Sequence, residues 1–177
     1  MAHYLLDEFK LYKDIDLNDT DKDDKISMFL SAVEKFLNTT YGIYLQKTDE
    51  ITETFSVLSN TILLPSINIE LVKVVVDDVE YDLSEVYLQG NVLKAINNPF
   101  QNGIKNAQVT YKLGFDEIPY DLKIAVFILT AKLLQSAENS GEEMDYMTDP
   151  VGGRMKMLKN IPPEFFMLIA PYRTMFM

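Results

Sequence analysis

Apolar and polar positions along the chain change period twice, from helical spacing to alternation and back again. Leu5, Leu6 and Phe9 predict a short helix over residues 3–11, followed by an acidic loop, Lys13 to Asp24. Ile26, Phe29, Leu30, Val33, Phe36 and Leu37 then form one apolar stripe, the clearest helix in the chain, with Gly42 as its stop. Asp23 or Asp24 is positioned to cap that helix. From 45 to 114 the reading is strands: residues 51–57, 61–64, 67–76, 79–83, 87–89 and 92–96, then a loop of turn-forming residues over 97–103 and a last strand over 108–113. Gly90-Asn91 has the length and residue types of a tight hairpin turn. Residues 120–137 are apolar nearly all round, which predicts a central helix packed against the Ile26–Leu37 stripe. A polar glycine-containing loop follows at 138–153, and Pro163 and Pro171 bracket a final short helix.

The pattern therefore predicts an α+β fold, mostly a helical bundle with an inserted small antiparallel β-sheet. Residues 1–44 and 115–177 form the helical body, and 45–114 the inserted β subdomain. A chain of 177 residues buries about 70% of its unfolded surface, so its core needs no cross-link or metal.

Charge changes the picture of partners. Twenty-seven acidic residues against 16 basic ones give a net charge of −11, which disfavours phosphate-neutralising contact with nucleic acid and with anionic membranes. The longest apolar run, Ile124 to Leu134, is too short and too polar to span a bilayer. MAHYLLDEFK has neither the basic start nor the apolar core of a signal peptide. Zero cysteines exclude disulfides, zinc-finger chemistry and a thiol nucleophile, and the single His3 excludes multi-histidine metal sites.

Little catalytic chemistry remains. Calcium-loop registers starting at Asp14, Asp16 or Asp19 lack Gly at position 6 and Glu at position 12, so helix capping is the simpler account of that run. The clusters Asp77-Asp78-Glu80-Asp82, Asp116-Glu117 and Glu142-Glu143-Asp145 fall at turns or in polar loops, where solvated surface is expected rather than a carboxylate pair. Gly152-Gly153-Arg154 is only a glycine pair in a loop, and no nucleophile elbow, phosphate loop or dinucleotide fingerprint occurs. The reading is no enzyme, no catalytic residue, no cofactor and no metal.

The C-terminus stands out. Phe165, Phe166, Met167, Leu168, Ile169, Tyr172, Met175, Phe176 and Met177 place nine large apolar residues in the last thirteen. Phe165, Leu168 and Ile169 are expected to finish the core, whereas Met175-Phe176-Met177, beyond a helix-breaking proline, point to contact with another protein chain.

The order of elements resembles a known family. The residues that carry the likeness are Tyr41-Gly42, Tyr111-Lys112-Leu113-Gly114 before Ile118-Pro119-Tyr120-Asp121-Leu122-Lys123, and the closing Leu168-Ile169-Ala170-Pro171-Tyr172-Arg173. Together they look like the head–tail connector (adaptor) proteins of tailed bacteriophages, over nearly the whole chain. Ile169-Ala170 departs from a commoner second leucine, and the 138–153 loop is long. The resemblance implies a structural virion protein, assembled in the host bacterial cytoplasm and located at the head–tail interface. It implies a ring of identical subunits, twelve in the particle, beneath the portal protein. The ring would extend the DNA channel and dock the next head-completion or tail protein, with DNA passing without specific binding. Leu168, Pro171, Tyr172 and Arg173 are the implied portal-docking or subunit-contact positions, next to Met175, Phe176 and Met177. Plain packing is the alternative for Leu168 and Tyr172, and capping of the last helix for Arg173. Competing readings are a monomeric α+β module that binds one protein partner and, more weakly, a carboxylate-dependent hydrolase.

Overall fold

The computed structural model describes residues 3–138 and 161–173. The predicted 138–153 loop, apart from Glu138, and Met175, Phe176 and Met177 lie outside the described residues. In order, the elements are α1 (Leu6–Tyr12), α2 (Asp23–Tyr41), β1 (Ile51–Val57), β2 (Thr61–Leu63), β3 (Ile69–Val76), β4 (Val79–Tyr81), β5 (Val86–Gln89), β6 (Val92–Ala95), β7 (Gly103–Leu113), α3 (Tyr120–Glu138) and α4 (Pro163–Ile169). Short 3-10 turns occupy Leu83–Glu85 and Ala170–Tyr172. The chain divides into two compact units, Met1–Lys35 with Tyr120–Ala170, and Phe36–Pro119 with Pro171–Met177.

The expectation of a mostly helical bundle does not hold. The described chain is α+β with four helices and two antiparallel sheets, one ordered β1-β7-β3-β4 and the other β2-β6-β5. The segment expected to be a loop over residues 97–103 ends in β7, which runs eleven residues and joins β1 to β3. Its alternation makes it the centre of the larger sheet: Ala107, Val109, Tyr111 and Leu113 are buried, while Gln108 is exposed and Thr110 and Lys112 are half-buried. On that buried face Val109 pairs with Val74, and Ala107 with Val76. The opposite face is a polar ladder, with Thr52 and Thr110 hydroxyls 2.9 Å apart and Lys73 paired to Glu80 at 2.9 Å. In the smaller sheet Ile62, Leu93 and Leu88 form one cross-strand row turned inward. Val57, Ile62, Leu64, Val74, Val76, Leu93, Phe100 and Val109 belong to a single apolar core, so both sheets bury their inner faces together.

Turn residues match their backbone demands. Gly90 carries the positive φ of 63° that the first central position of the β5–β6 hairpin needs, and Asp77 and Asp78 take φ of 50° and 64° in the β3–β4 turn.

In the helical unit, Leu5, Leu6, Phe9, Ile26, Phe29, Leu30 and Val33 are buried with Leu122, Val126 and Phe127. Each such side chain contributes roughly 1.5–3 kcal/mol by leaving water. Phe9 and Phe127 meet edge-on at 5.7 Å. Asp23 and Asp24 occupy the first turn of α2 rather than its cap. There they complement the positive helix end, and Asp23 Oδ1 meets the buried Lys10 Nζ at 2.7 Å. The Lys10 ammonium also donates to the Leu17 carbonyl at 3.2 Å, which ties down the acidic loop. The most extensive close backbone approach to α3 is made by α4.

Candidate functional site

The C-terminal segment is built from the proline outward. Pro163 opens α4 at a position that needs no N–H, and the Phe165 N–H returns to the Pro162 carbonyl at 3.1 Å. Phe165 and Ile169 are fully buried, and Leu168 is half-buried. Met167 stands 75% exposed on the other face. The chain then turns through Ala170–Tyr172, leaving Pro171 exposed.

Beyond Pro171 the segment is anchored within its own unit. The Tyr172 ring meets Phe115 edge-on at 5.8 Å, and the Arg173 guanidinium carbon lies 4.6 Å over the Tyr41 ring. Phe36 also meets the Tyr41 ring edge-on, at 5.6 Å. Tyr41 is held at the end of α2 because Gly42 turns left-handed, with φ of 65°, and lets the Ile43 N–H reach the Leu37 carbonyl at 3.2 Å. Phe115 is held by the residue before it. Gly114 has φ of 92°, and a Cβ there would meet the Gln46 carbonyl oxygen at 2.0 Å. Asn68 Nδ2 donates to the Gly114 carbonyl at 2.6 Å, and Lys47 binds Asp116 at 2.7 Å and also Glu70. The Tyr41-Gly42 and Leu113-Gly114 pairs of the sequence motif thus position the two rings on which Tyr172 and Arg173 rest.

Carboxylates elsewhere act singly. Asp16 and Asp19 accept N–H bonds from Asn18 and Asp21 at 2.9 and 3.2 Å. Asp82 caps a 3-10 turn, and bonds from the Ser84 N–H and hydroxyl hold its carboxyl below the usual range. No group of three or more metal-binding side chains occurs among the described residues. Glu142-Glu143-Asp145 and Gly152-Gly153-Arg154 lie outside them. No helix among the described residues is long and apolar enough to cross a membrane.

Sequence reasoning missed the buried Lys10 and the Phe115 platform. A lysine inside an apolar helix face was the available signal for the first, and an aromatic directly after a constrained glycine for the second.

The family model for the head completion protein matches residues 5–175, nearly the whole chain. The chain belongs to the head completion protein family. It is accordingly a structural protein of phage particle assembly, and the resemblance read from its motifs is borne out. The fold of this head completion protein is also similar to that of a chain in a structure described as the neck of an empty GTA particle computed with C6 symmetry. The two share 19% identity at a TM-score of 0.55, over 94% of this chain and 87% of the other. No curated protein matches.

Proposed function

We propose that this head completion protein is a connector subunit that closes into a ring of identical copies beneath the portal, twelve in the particle. The ring extends the DNA channel and docks the next head-completion or tail protein. The observation that carries the reading is the family match over residues 5–175. The six-fold symmetry used for the similar neck chain supports a ring of identical subunits. A net charge of −11 suits a conduit through which the DNA backbone passes without adhering.

In this reading the C-terminal segment reaches the portal. Tyr172 and Arg173, packed on Phe115 and Tyr41, are positioning residues that fix where the chain leaves the body. Leu168 anchors the helix from its half-buried position, while Pro171 and the apolar end Met175, Phe176 and Met177 supply the contact itself. Binding of the full chain and of a variant lacking residues 174–177 to purified portal rings tests this. Loss of binding in the shortened variant is expected, and undiminished binding removes the tail from the mechanism. Counting subunits in assembled particles by electron microscopy tests the twelve-membered ring.

A further inference from the structure

We propose that neighbouring copies meet when an apolar tip on the four-stranded sheet of one copy enters a lysine-rimmed groove in the helical unit of the next. The inference rests on the ring reading above and names the surfaces that would build it.

The tip is a constructed feature. Phe55 pairs with Ala107 and Val57 with Gly103, so three residues of β7, Ile104-Lys105-Asn106, stand opposite Ser56 alone. Lys105 takes a left-handed φ of 53° within this bulge, and its N–H donates to Ser56 Oγ at 3.0 Å. Asn106 locks the bulge: its Nδ2 donates to Asp77 Oδ2 at 3.1 Å and to the Gln101 carbonyl at 3.0 Å. Its Oδ1 accepts the Val57 N–H at 3.3 Å. The outcome is an isoleucine held 86% exposed, the barest large apolar side chain among the described residues. Leu58 and Val79, 66% and 58% exposed, sit at the same end of the sheet. An exposed apolar tip on a hydrogen-bonded bulge is the kind of surface that marks a protein contact. Asp77 and Asp78 border this tip, with Lys105 the one cation of the bulge itself.

The groove is its complement. It has a volume of about 550 Å³, within the roughly 300–1,000 Å³ range of ligand-sized sites. Phe9, Ile15, Ile26, Ile128 and Leu134 supply its apolar wall. Lys13, Lys22 and Lys132 stand around it with one acid, Glu138, which is engaged by Lys22 at 2.7 Å. Among the side chains that line the groove the lysines outnumber the acids, against a net charge of −11 for the chain. A closed ring needs a heterologous contact between two different patches, whereas a self-complementary patch gives only a two-fold dimer. Tip and groove are opposite in curvature and opposite in sign, which selects a second copy as the occupant.

The chain has no cysteine, so cross-linking can be made specific. Particles assembled with the Ile104→Cys, Gln135→Cys double variant and oxidised are expected to give a ladder of dimers, trimers and higher species on a non-reducing gel. Each single variant should give none. Absence of the ladder in particles that contain rings overturns the contact while leaving the ring reading intact. Absence of rings in particles assembled from the unmodified chain overturns both. A dimer from Ile104→Cys alone marks a two-fold contact and also overturns the inference. Charge reversal provides a second measurement on variants with unchanged circular dichroism. Asp77→Lys with Asp78→Lys, or Lys13→Asp with Lys132→Asp, should each lower ring assembly about tenfold. Combining all four should restore it, and failure to restore it refutes the pairing.

Discussion

Arg173 places its guanidinium carbon 4.6 Å from the centroid of the Tyr41 ring, joining the last described residue to the C-terminal end of α2. Replacing Tyr41 with Leu keeps bulk but removes the ring face, and is expected to cost about 1 kcal/mol in urea unfolding. Arg173→Ala should cost a similar amount, and the double variant less than the sum, because both remove the same contact.

Gly114 and Gly90 form an internal comparison. Both have positive φ, but a Cβ at Gly90 meets nothing within 4 Å, while one at Gly114 runs into the Gln46 backbone. Gly90→Ala should cost about 1–2 kcal/mol from the left-handed backbone alone. Gly114→Ala should cost about 3 kcal/mol or more, since backbone must move as well. Thermal unfolding of the two variants separates the conformational term from the steric one.

The Lys10–Asp23 pair is asymmetric, with side-chain exposures of 1% and 24%. Lys10→Met should destabilise by about 2–4 kcal/mol, because Asp23 keeps its charge without its partner. Lys10→Met combined with Asp23→Leu should recover most of that loss, measured by chemical denaturation.

Thr130 is fully buried in α3, and its hydroxyl oxygen has no hydrogen-bond partner among the described residues. Thr130→Val exchanges that hydroxyl for a methyl of the same shape and should stabilise the protein by about 1 kcal/mol.

Tyr111 hydrogen-bonds through its hydroxyl to Glu53 Oε2 at 2.5 Å. Burial first, then the bond to Glu53 and its charge, push the Tyr111 phenol above its ordinary value of 10.0. The folded state therefore holds this proton more tightly than the unfolded state. Its contribution to stability is complete below pH 10 and is lost as the pH rises through the folded value. Unfolding free energy measured above pH 10 should fall less steeply in Tyr111→Phe than in the unmodified chain. The tyrosinate absorbance titration of the native protein should lack early ionisation of two phenols, Tyr111 and Tyr4, the latter also raised by burial and by Glu34.

Local periodicity made the helices legible: all six residues of the Ile26–Leu37 stripe are buried, and α3 begins and ends within a residue of its apolar run. Strand existence was legible for the same reason. Sheet composition was not, because β1 pairs with β7 across most of the β region and alternation says nothing about which strand lies alongside. That non-local choice is what turned an expected minor insertion into two sheets. At the C-terminus the unusual apolar content was visible. What the sequence concealed is that Tyr172 and Arg173 rest on Phe115 and Tyr41, a pairing set by two left-handed glycines rather than by any local pattern.

The central place of β7 also dictates an order of events during synthesis. The β2-β6-β5 sheet and the β3–β4 hairpin consist of residues made before Gly103, yet the strand that joins β1 to β3 is the last one translated. At about 5–20 residues per second, β1 waits several seconds on the ribosome before its neighbour exists. Throughout that interval Ile51, Phe55 and Val57 lack the strand that pairs with them in the finished sheet. The keystone arrives last, so a nascent chain halted before residue 103 holds its arch stones without the piece that locks them.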